Sequence, residues 1–310
     1  MKKLLITSYV NPDIDGVAGA IAYSEFLEKN GVVGTVGVMG EIHDEAKYVL
    51  DLFCFEYPPI IINSKNFDEV VLIDTSDLNG VEGNIEVEKV IEIIDHRKIH
   101  EADKFPNAKI QIELVGSAAT LIAEKFIKNN IEISKKSATL ILSAIISNTF
   151  NFKGGVTTDR DRTVAEYLNG IARLPDDFWK KLFEAKSDLS GEKLFNRITG
   201  DLASYSICNK KFSIAQLEII GAKKLVKERS NEIIEILNKT KNEMNLDFIF
   251  MSIVDLEEEK NYFITDDENT KDLIKKILNV NFDGNIAERE GLIMRKQISP
   301  LLKEEFEKNE

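Results

Sequence analysis

Carboxylates and one imidazole follow apolar runs at three places in the first third of the chain. Asp13 and Asp15 stand two residues apart in the motif NPDIDG, Asp74 ends the run VVLI, and Asp95 and His96 end the run VIEII. If these runs are parallel strands, their carboxyl ends meet at one edge of a sheet, where open α/β sheets bind their ligands. Such a set of oxygen ligands with one imidazole predicts a site for divalent metal and phosphate.

Each aspartate, taken alone, also has an ordinary structural explanation. Asp15 is placed to cap the following helix and Asp13 to form an Asx-turn, and aspartates at strand ends commonly form turns. Two strands that both end in this way favour a site. In such a site Asp95 orients His96, and the spacing of Asp13 and Asp15 sends them to different neighbours, as two separate ions would require.

Composition and charge argue against some classes of binding partner. The chain has 310 residues, is 43% hydrophobic and carries a net charge of −13, which would repel nucleic acid over most of its surface. No run has the length of a membrane span, and the amino terminus lacks a signal-peptide core. We therefore expect a cytoplasmic protein without nucleic-acid or membrane partners. Cys54 and Cys208 have no metal-binding spacing and are expected to be buried thiols.

The order of elements predicts the fold class. Short β-branched runs alternate with helical patterns up to about residue 174, which predicts an α/β doubly wound domain with a mostly parallel sheet. The polar segment 186–191 is a predicted linker, and a smaller α/β domain with a long helix at 222–245 follows it. We expect domains at 1–188 and 192–310.

Three smaller features bear on the site. The segment GSAAT at 116–120 opens a helix and predicts either an anion at the helix N-terminus or an N-cap at Ser117. His43 and His100 stand among charged residues and are expected at the surface without a functional role.

The order of short motifs along the chain resembles a known superfamily. These motifs are, in order, NPDID, LID, IDH, GSAAT, AIISNT and RKQISP. They resemble the DHH phosphoesterase superfamily with a DHHA2 carboxyl-terminal domain, and in particular the manganese-dependent family II inorganic pyrophosphatases. The likeness covers almost the whole chain. It implies a DHH catalytic domain at 1–188, a DHHA2 substrate-binding domain at 192–310 and an active site in the cleft between them.

The resemblance also implies which residues bind metal. Asp13, Asp15, Asp74 and His96 would be the catalytic metal ligands, with Asp74 bridging two ions and Asn148 as a further candidate ligand. The implied cofactor is manganese, with magnesium or cobalt as alternatives, in one or two ions per chain. The implied partners are a small phosphate-containing substrate and a second copy of the chain in a homodimer.

Four positions depart from the pyrophosphatase pattern. They are Tyr9 in place of a metal-binding His, Arg97 in place of a second His, Asn148 in place of an Asp, and Ala203, in the segment DLA that starts at Asp201, in place of a Lys. A neutral phenol with a pKa near 10 is a poor metal ligand, so we expect weaker metal binding.

The substrate-binding residues implied by the resemblance are Arg295 and Lys296, and Arg97 is a further candidate that can grip an additional phosphate bidentately. The leading hypothesis is a metal-dependent hydrolase of phosphoanhydride bonds that resembles inorganic pyrophosphatase. The Asp-His-Arg form of the third motif is similar to that of exopolyphosphatase and prune-type relatives, so a short-chain exopolyphosphatase or nucleotide phosphohydrolase is the alternative. A catalytically weak protein that binds phosphate or nucleotide is the contrasting class.

Overall fold

The computed structural model describes residues 2–81, 83–98, 100–200 and 202–308. Its described residues form two compact units, Met1–Lys186 and Ser187–Glu310. Asp201, which opens the DLA segment of the sequence prediction, lies outside the described residues, and so do residues 309 and 310. No helix among the described residues combines the length and apolar character that a membrane crossing requires.

The first unit is an α/β domain. Its strands are β1 (Leu4–Thr7), β2 (Gly34–Val36), β3 (Glu69–Ile73), β4 (Val90–Asp95) and β5 (Lys109–Ile112). Its helices are α1 (Ile14–Lys29), α2 (Asp44–Leu52), α3 (Leu78–Val81), α4 (Ala118–Lys128), α5 (Lys135–Asn148), α6 (Asp159–Ala172) and α7 (Phe178–Lys186).

The first-unit strands form one parallel sheet in the order β2-β1-β3-β4-β5. The chain leaves β1 for one side of the sheet and returns to the other side at β3, so a crevice opens at the carboxyl ends of these two neighbours. This confirms the predicted mostly parallel sheet. The crevice lies where the NPDIDG motif and Asp74 follow their strands.

Both faces of this sheet are covered. Leu5, Leu72 and Ile93 belong to a buried cluster on one face, while α1 packs on β3 and contacts α4 and α5 on the other. Neighbouring strand residues such as Ile6 and Ile73 are also fully buried. Continuous burial of this kind is typical of parallel strands between two layers of helix, and it gives the site a rigid base.

The second unit has its own mixed sheet. Its strands are β6 (Leu202–Ile207), β7 (Lys210–Ile219), β8 (Phe248–Asp255), β9 (Lys260–Ile264), β10 (Phe282–Asp283) and β11 (Ile286–Glu290). Its helices are α8 (Lys193–Gly200), α9 (Ala222–Met244), α10 (Glu268–Leu278) and α11 (Arg295–Glu307). The strand order is β10-β11-β9-β8-β7-β6, in which β7 and β8 pair in parallel and the other neighbours are antiparallel.

Two buried clusters hold the second unit together. Residues of α8 and α9 pack with Leu217 and Ile253 on one face of the sheet, and residues of α10 and α11 pack with Ile214 and Phe250 on the other. This unit is therefore a three-layer arrangement around one sheet, with its own hydrophobic core.

The expectation of two buried thiols is wrong. Cys54 is exposed and Cys208 is only partly buried. Cys54 follows the C-terminus of α2 with φ of 53°, while Cys208 and Asn209, with φ of 50° and 58°, form the two-residue turn between β6 and β7. A residue with positive φ commonly ends a helix, and two in a row form the turn of a hairpin. Both thiols therefore lie where the backbone bends at the surface rather than in the core.

Two helical glycines should respond to alanine in opposite directions. A Cβ on Gly19 of α1 would lie 2.6 Å from Cγ2 of Ile73 and 3.1 Å from Cδ1 of Ile122, whereas a Cβ on Gly170 of α6 would meet nothing within 4 Å. We expect Gly19→Ala to lower the free energy of unfolding by about 1–3 kcal/mol through overpacking. Gly170→Ala should raise it by about 0.5–1 kcal/mol.

Urea unfolding of the two variants beside the parent chain measures both changes. A Gly19→Ala variant as stable as Gly170→Ala would contradict the close packing of α1 on β3.

Candidate metal centre

The NPDIDG loop places Asp13 and Asp15 in different roles. Asp13 is the N-cap of α1, and its Oδ1 accepts hydrogen bonds from the backbone N–H groups of Asp15 at 2.8 Å and Gly16 at 3.2 Å. Capping therefore belongs to Asp13 and not to Asp15, the residue that the ordinary explanation of the sequence had assigned to it. Asp15 lies in the first turn of the helix, where its side chain is free to leave the helix axis.

The Asp15 carboxylate is fully buried at the N-terminus of α4. Its Oδ1 accepts from Ser117 Oγ at 2.8 Å and from the Ala119 amide at 2.9 Å, and its Oδ2 accepts from the Ala118 amide at 2.8 Å. Ser117 is also the N-cap of α4. The GSAAT segment thus binds an anion and caps its helix, and the anion is a carboxylate of the chain itself.

Asp74 follows β3 in an unusual backbone conformation. Its φ is +59°, in the left-handed region, and its N–H donates to the carbonyl of Ile94 at 2.8 Å. Aspartate tolerates this region better than most residues, and such outliers cluster at functional sites. The bond to Ile94 fixes the end of β3 to the neighbouring β4, and the side chain is buried.

His96 follows β4 and presents one ring nitrogen to the two carboxylates. Its Nδ1 lies 2.9 Å from the carbonyl oxygen of Val115. Because a carbonyl only accepts, Nδ1 carries a proton, and Nε2 faces Asp74 Oδ1 at 3.4 Å and Asp15 Oδ2 at 3.8 Å. Metal-binding histidines are typically oriented by a backbone carbonyl in this way.

These three side chains form what we call the Asp15-Asp74-His96 cluster. Their ligand atoms all lie within 4.8 Å of one another. Burial raises the pKa of both carboxyls. Burial also opposes the charged imidazole, but the Asp74 and Asp15 carboxylates outweigh it and raise the pKa of His96 to about 10. The cluster therefore favours a bound positive charge, and carboxylate oxygens with one imidazole suit manganese, cobalt or zinc better than calcium.

The other predicted ligands have different surroundings. Asp13 lies outside the 4.8 Å cluster, and its described bonds use one of its two carboxylate oxygens. Asn148, at the end of α5, donates through Nδ2 to Asp15 Oδ2 at 2.6 Å. Asp95 accepts from the backbone N–H of His96 at 2.7 Å, so the imidazole ring is oriented by Val115 instead.

Tyr9 and Arg97 lie together beside the cluster. The Tyr9 hydroxyl accepts from the Asp13 amide at 3.0 Å, and burial raises the pKa of this phenol well above its usual value, so it stays protonated. The Arg97 guanidinium donates to Asp77 Oδ2 at 2.6 Å and to the backbone carbonyl of Asp74 at 2.9 Å. Asp77 is absent from the sequence prediction, although its position three residues after Asp74 was a usable signal.

The remaining residues singled out in the sequence are two basic residues of the second unit and two histidines of the first. In the second unit, Arg295 begins α11, and its guanidinium Nη1 donates to the Ile214 carbonyl at 3.3 Å. Lys296 is exposed, and partial desolvation lowers the pKa of its ammonium group. His43 and His100 are exposed on the first unit.

Comparisons with known proteins cover nearly the whole chain. The model of the DHH family N-terminal domain matches residues 3–145, and that of the DHHA2 domain matches residues 180–305. The manganese-dependent inorganic pyrophosphatase of Bacillus subtilis is 32% identical over 306 residues, which is 97% of this chain and 98% of the relative. The chain belongs to the manganese-dependent inorganic pyrophosphatase family.

One solved structure supports the family assignment, and a second shares the fold. A crystal structure from Methanococcus jannaschii assigned to the family II inorganic pyrophosphatases is 30% identical, with a TM-score of 0.77 over 98% of this chain and 99% of that one. An exopolyphosphatase-related protein from Bacteroides fragilis, 16% identical with a TM-score of 0.53 over 99% of this chain and 92% of that one, shares the fold. The predicted family is thereby confirmed.

Asn148 should set the metal affinity of this family member. Its amide donates the fourth described hydrogen bond to the Asp15 carboxylate and so competes with a metal ion for Oδ2. Asn148→Asp replaces a donor with a second carboxylate, so we expect a lower melting temperature without metal and about tenfold tighter binding of Mn²⁺. Thermal unfolding and calorimetric titration with Mn²⁺ measure the two changes.

Asn238→Asp is the matched control for this variant. Asn238 Nδ2 donates to Asp266 Oδ2 at 2.8 Å, the same kind of bond at an exposed position. Loss of this hydrogen bond should lower the melting temperature only slightly, and the change should be the same with and without Mn²⁺. Unchanged or weaker Mn²⁺ binding by Asn148→Asp would contradict the role given to this amide.

Proposed function

We propose that this chain is a manganese-dependent hydrolase of phosphoanhydride bonds, with inorganic pyrophosphate as its substrate. The observation that carries the proposal is the Asp15-Asp74-His96 cluster, two buried carboxylates and one partly buried imidazole at the crevice of a parallel sheet. Membership of the manganese-dependent inorganic pyrophosphatase family supports it. A bound divalent ion would neutralise phosphate charge and make a water molecule more acidic.

The residues of the chain would prepare this site before substrate arrives. The amides of Ala118 and Ala119 hold the Asp15 carboxylate in place, and the Val115 carbonyl orients His96 so that its Nε2 faces Asp15 and Asp74, where it would bind the ion. Asp74 would reach the ion from the left-handed position at the end of β3. Fixed ligands of this kind reduce the reorganisation needed when charge develops on the leaving phosphate.

The wider site belongs to the same proposal. Asp13 would add a carboxylate ligand through its second oxygen, and Arg97, Arg295 and Lys296 would bind substrate phosphate. The catalytic residues would belong to a DHH domain at 1–188 and the basic pair to a DHHA2 domain at 192–310. A cytoplasmic location and pairing of two chains stay predictions.

A short-chain exopolyphosphatase activity is the second candidate. Arg97 favours it, because a guanidinium beside the cluster adds a fixed positive charge for one more phosphate. Phosphate release from pyrophosphate, tripolyphosphate and ATP at equal Mn²⁺ would rank the two candidates. Binding of pyrophosphate without release from any of these substrates would instead favour the contrasting class of binding protein.

Loss of the imidazole should separate metal-dependent turnover from folding. We expect His96→Ala to lower pyrophosphate hydrolysis by at least about a hundredfold, because even the residues that merely orient metal ligands are worth ten- to a hundredfold. Excess Mn²⁺ should restore part of the rate. His43→Ala, at an exposed histidine of the same unit, should keep the parent rate. Phosphate release measured with and without a chelator tests both variants, and a parent-level rate after chelation or in His96→Ala would reject the proposal.

A further inference from the structure

The Arg97 guanidinium is held from three directions. Nη1 donates to Asp77 Oδ2 at 2.6 Å, Nη2 donates to the Asp74 carbonyl at 2.9 Å, and Nε lies 3.6 Å from Asp95 Oδ2. A planar group with three acceptors around it has little rotational freedom. Its positive charge is therefore fixed next to Asp74, a member of the Asp15-Asp74-His96 cluster.

Tyr9 supports the same guanidinium from another side. The Arg97 Cζ lies 5.7 Å from the centroid of the Tyr9 ring, a distance typical of a cation–π contact. The Tyr9 hydroxyl in turn accepts from the Asp13 amide. Arg97, Tyr9 and the start of α1 thus form one connected arrangement, which links the third motif to the first.

Apart from Asp13, the carboxylates at and beside the cluster divide into two groups. Asp15 and Asp74 face the imidazole of His96, and one divalent ion would balance these two carboxylates. Asp77 and Asp95 face Arg97 instead. A second divalent ion near Asp74 would have the Asp13 carboxylate as a ligand, but it would also meet a fixed guanidinium and a protonated phenol, that is, one repulsive charge and one poor ligand.

We infer that Arg97 takes the place of a second metal ion, so that this chain binds one Mn²⁺ and uses the guanidinium as the second positive charge facing the substrate. The inference rests on the proposed metal centre. The two described hydrogen bonds of Arg97 use two of its five N–H groups, so others remain for a phosphate oxygen. A metal ion can be removed by a chelator, whereas this positive charge is part of the chain.

Metal counting tests the inference without reference to activity. The purified chain is saturated with Mn²⁺ and desalted, and Mn²⁺ per chain is then measured by elemental analysis, calorimetric titration and electron paramagnetic resonance. We expect one Mn²⁺ per chain with the spectrum of an isolated ion. The double variant Tyr9→His with Arg97→His removes the guanidinium and adds two imidazoles, so we expect two Mn²⁺ per chain with a spin-coupled spectrum.

Arg162→His is the matched control. Arg162 of α6 also donates to a backbone carbonyl, that of Phe152 at 2.8 Å, and its Cζ also lies over an aromatic ring, at 5.5 Å from the Phe152 centroid. Its replacement should leave one Mn²⁺ per chain. A different Mn²⁺ content in the Arg97 and Arg162 variants would therefore be due to the position of Arg97 beside the cluster. It would not be due to the mere loss of an arginine that packs on an aromatic ring.

Each outcome decides one of the two claims. Two Mn²⁺ per parent chain would overturn the inference and leave the metal centre in place, whereas no bound Mn²⁺ would reject the metal centre itself. One Mn²⁺ in a folded double variant would also overturn the inference. If the double variant does not fold, Arg97→His alone decides, since a second and weaker Mn²⁺ site is expected in it and unchanged stoichiometry would contradict the role of Arg97.

Discussion

The burial of the Asp15 carboxylate against the N-terminus of α4 is the interaction on which the first unit depends. A fully buried carboxylate is costly unless donors surround it, and here Ser117, Ala118, Ala119 and Asn148 all donate to it. These donors come from the start of α4 and the end of α5, while Asp15 belongs to α1. One charge therefore joins three helices directly above the crevice of the sheet.

This interaction also explains why the cluster carries an excess of negative charge. The amides of α4 stabilise the charged form of Asp15, which burial would otherwise neutralise. Asp74 and His96 reach the same place from the ends of β3 and β4, where the backbone bond from Asp74 to Ile94 keeps the two loops in register. Helix ends and strand ends thus converge on a point at which negative charge exceeds what the imidazole alone can balance.

The fold and the central cluster were accessible from the sequence for physical reasons. Parallel strands end at one edge, so Asp74 and His96 had to lie near the NPDIDG loop, and the alternation of strands with helices allowed little other than a doubly wound sheet. The order of motifs identified the family, which the comparisons confirm. Capping by Asp13 and anchoring of Asp15 could not be separated, because both residues occur in the same turn.

Features that depend on contacts between distant loops were not predictable. The stack of Arg97 on Tyr9 joins residues from different motifs, and the partner Asp77 follows Asp74 in a loop with no periodicity. Helix α8 and strand β6 were not predicted either, because each is short and mixes polar with apolar residues. The two cysteines were misplaced for a related reason, since residue type indicated burial while the positive φ at each position put it in a surface turn.

Diffraction from crystals soaked in Mn²⁺, collected at the manganese absorption edge, tests the central claim most directly. The account predicts an anomalous peak within bonding distance of a carboxylate oxygen of Asp15, a carboxylate oxygen of Asp74 and Nε2 of His96. No peak at these atoms in fully soaked crystals, or peaks confined to surface carboxylates, would contradict it.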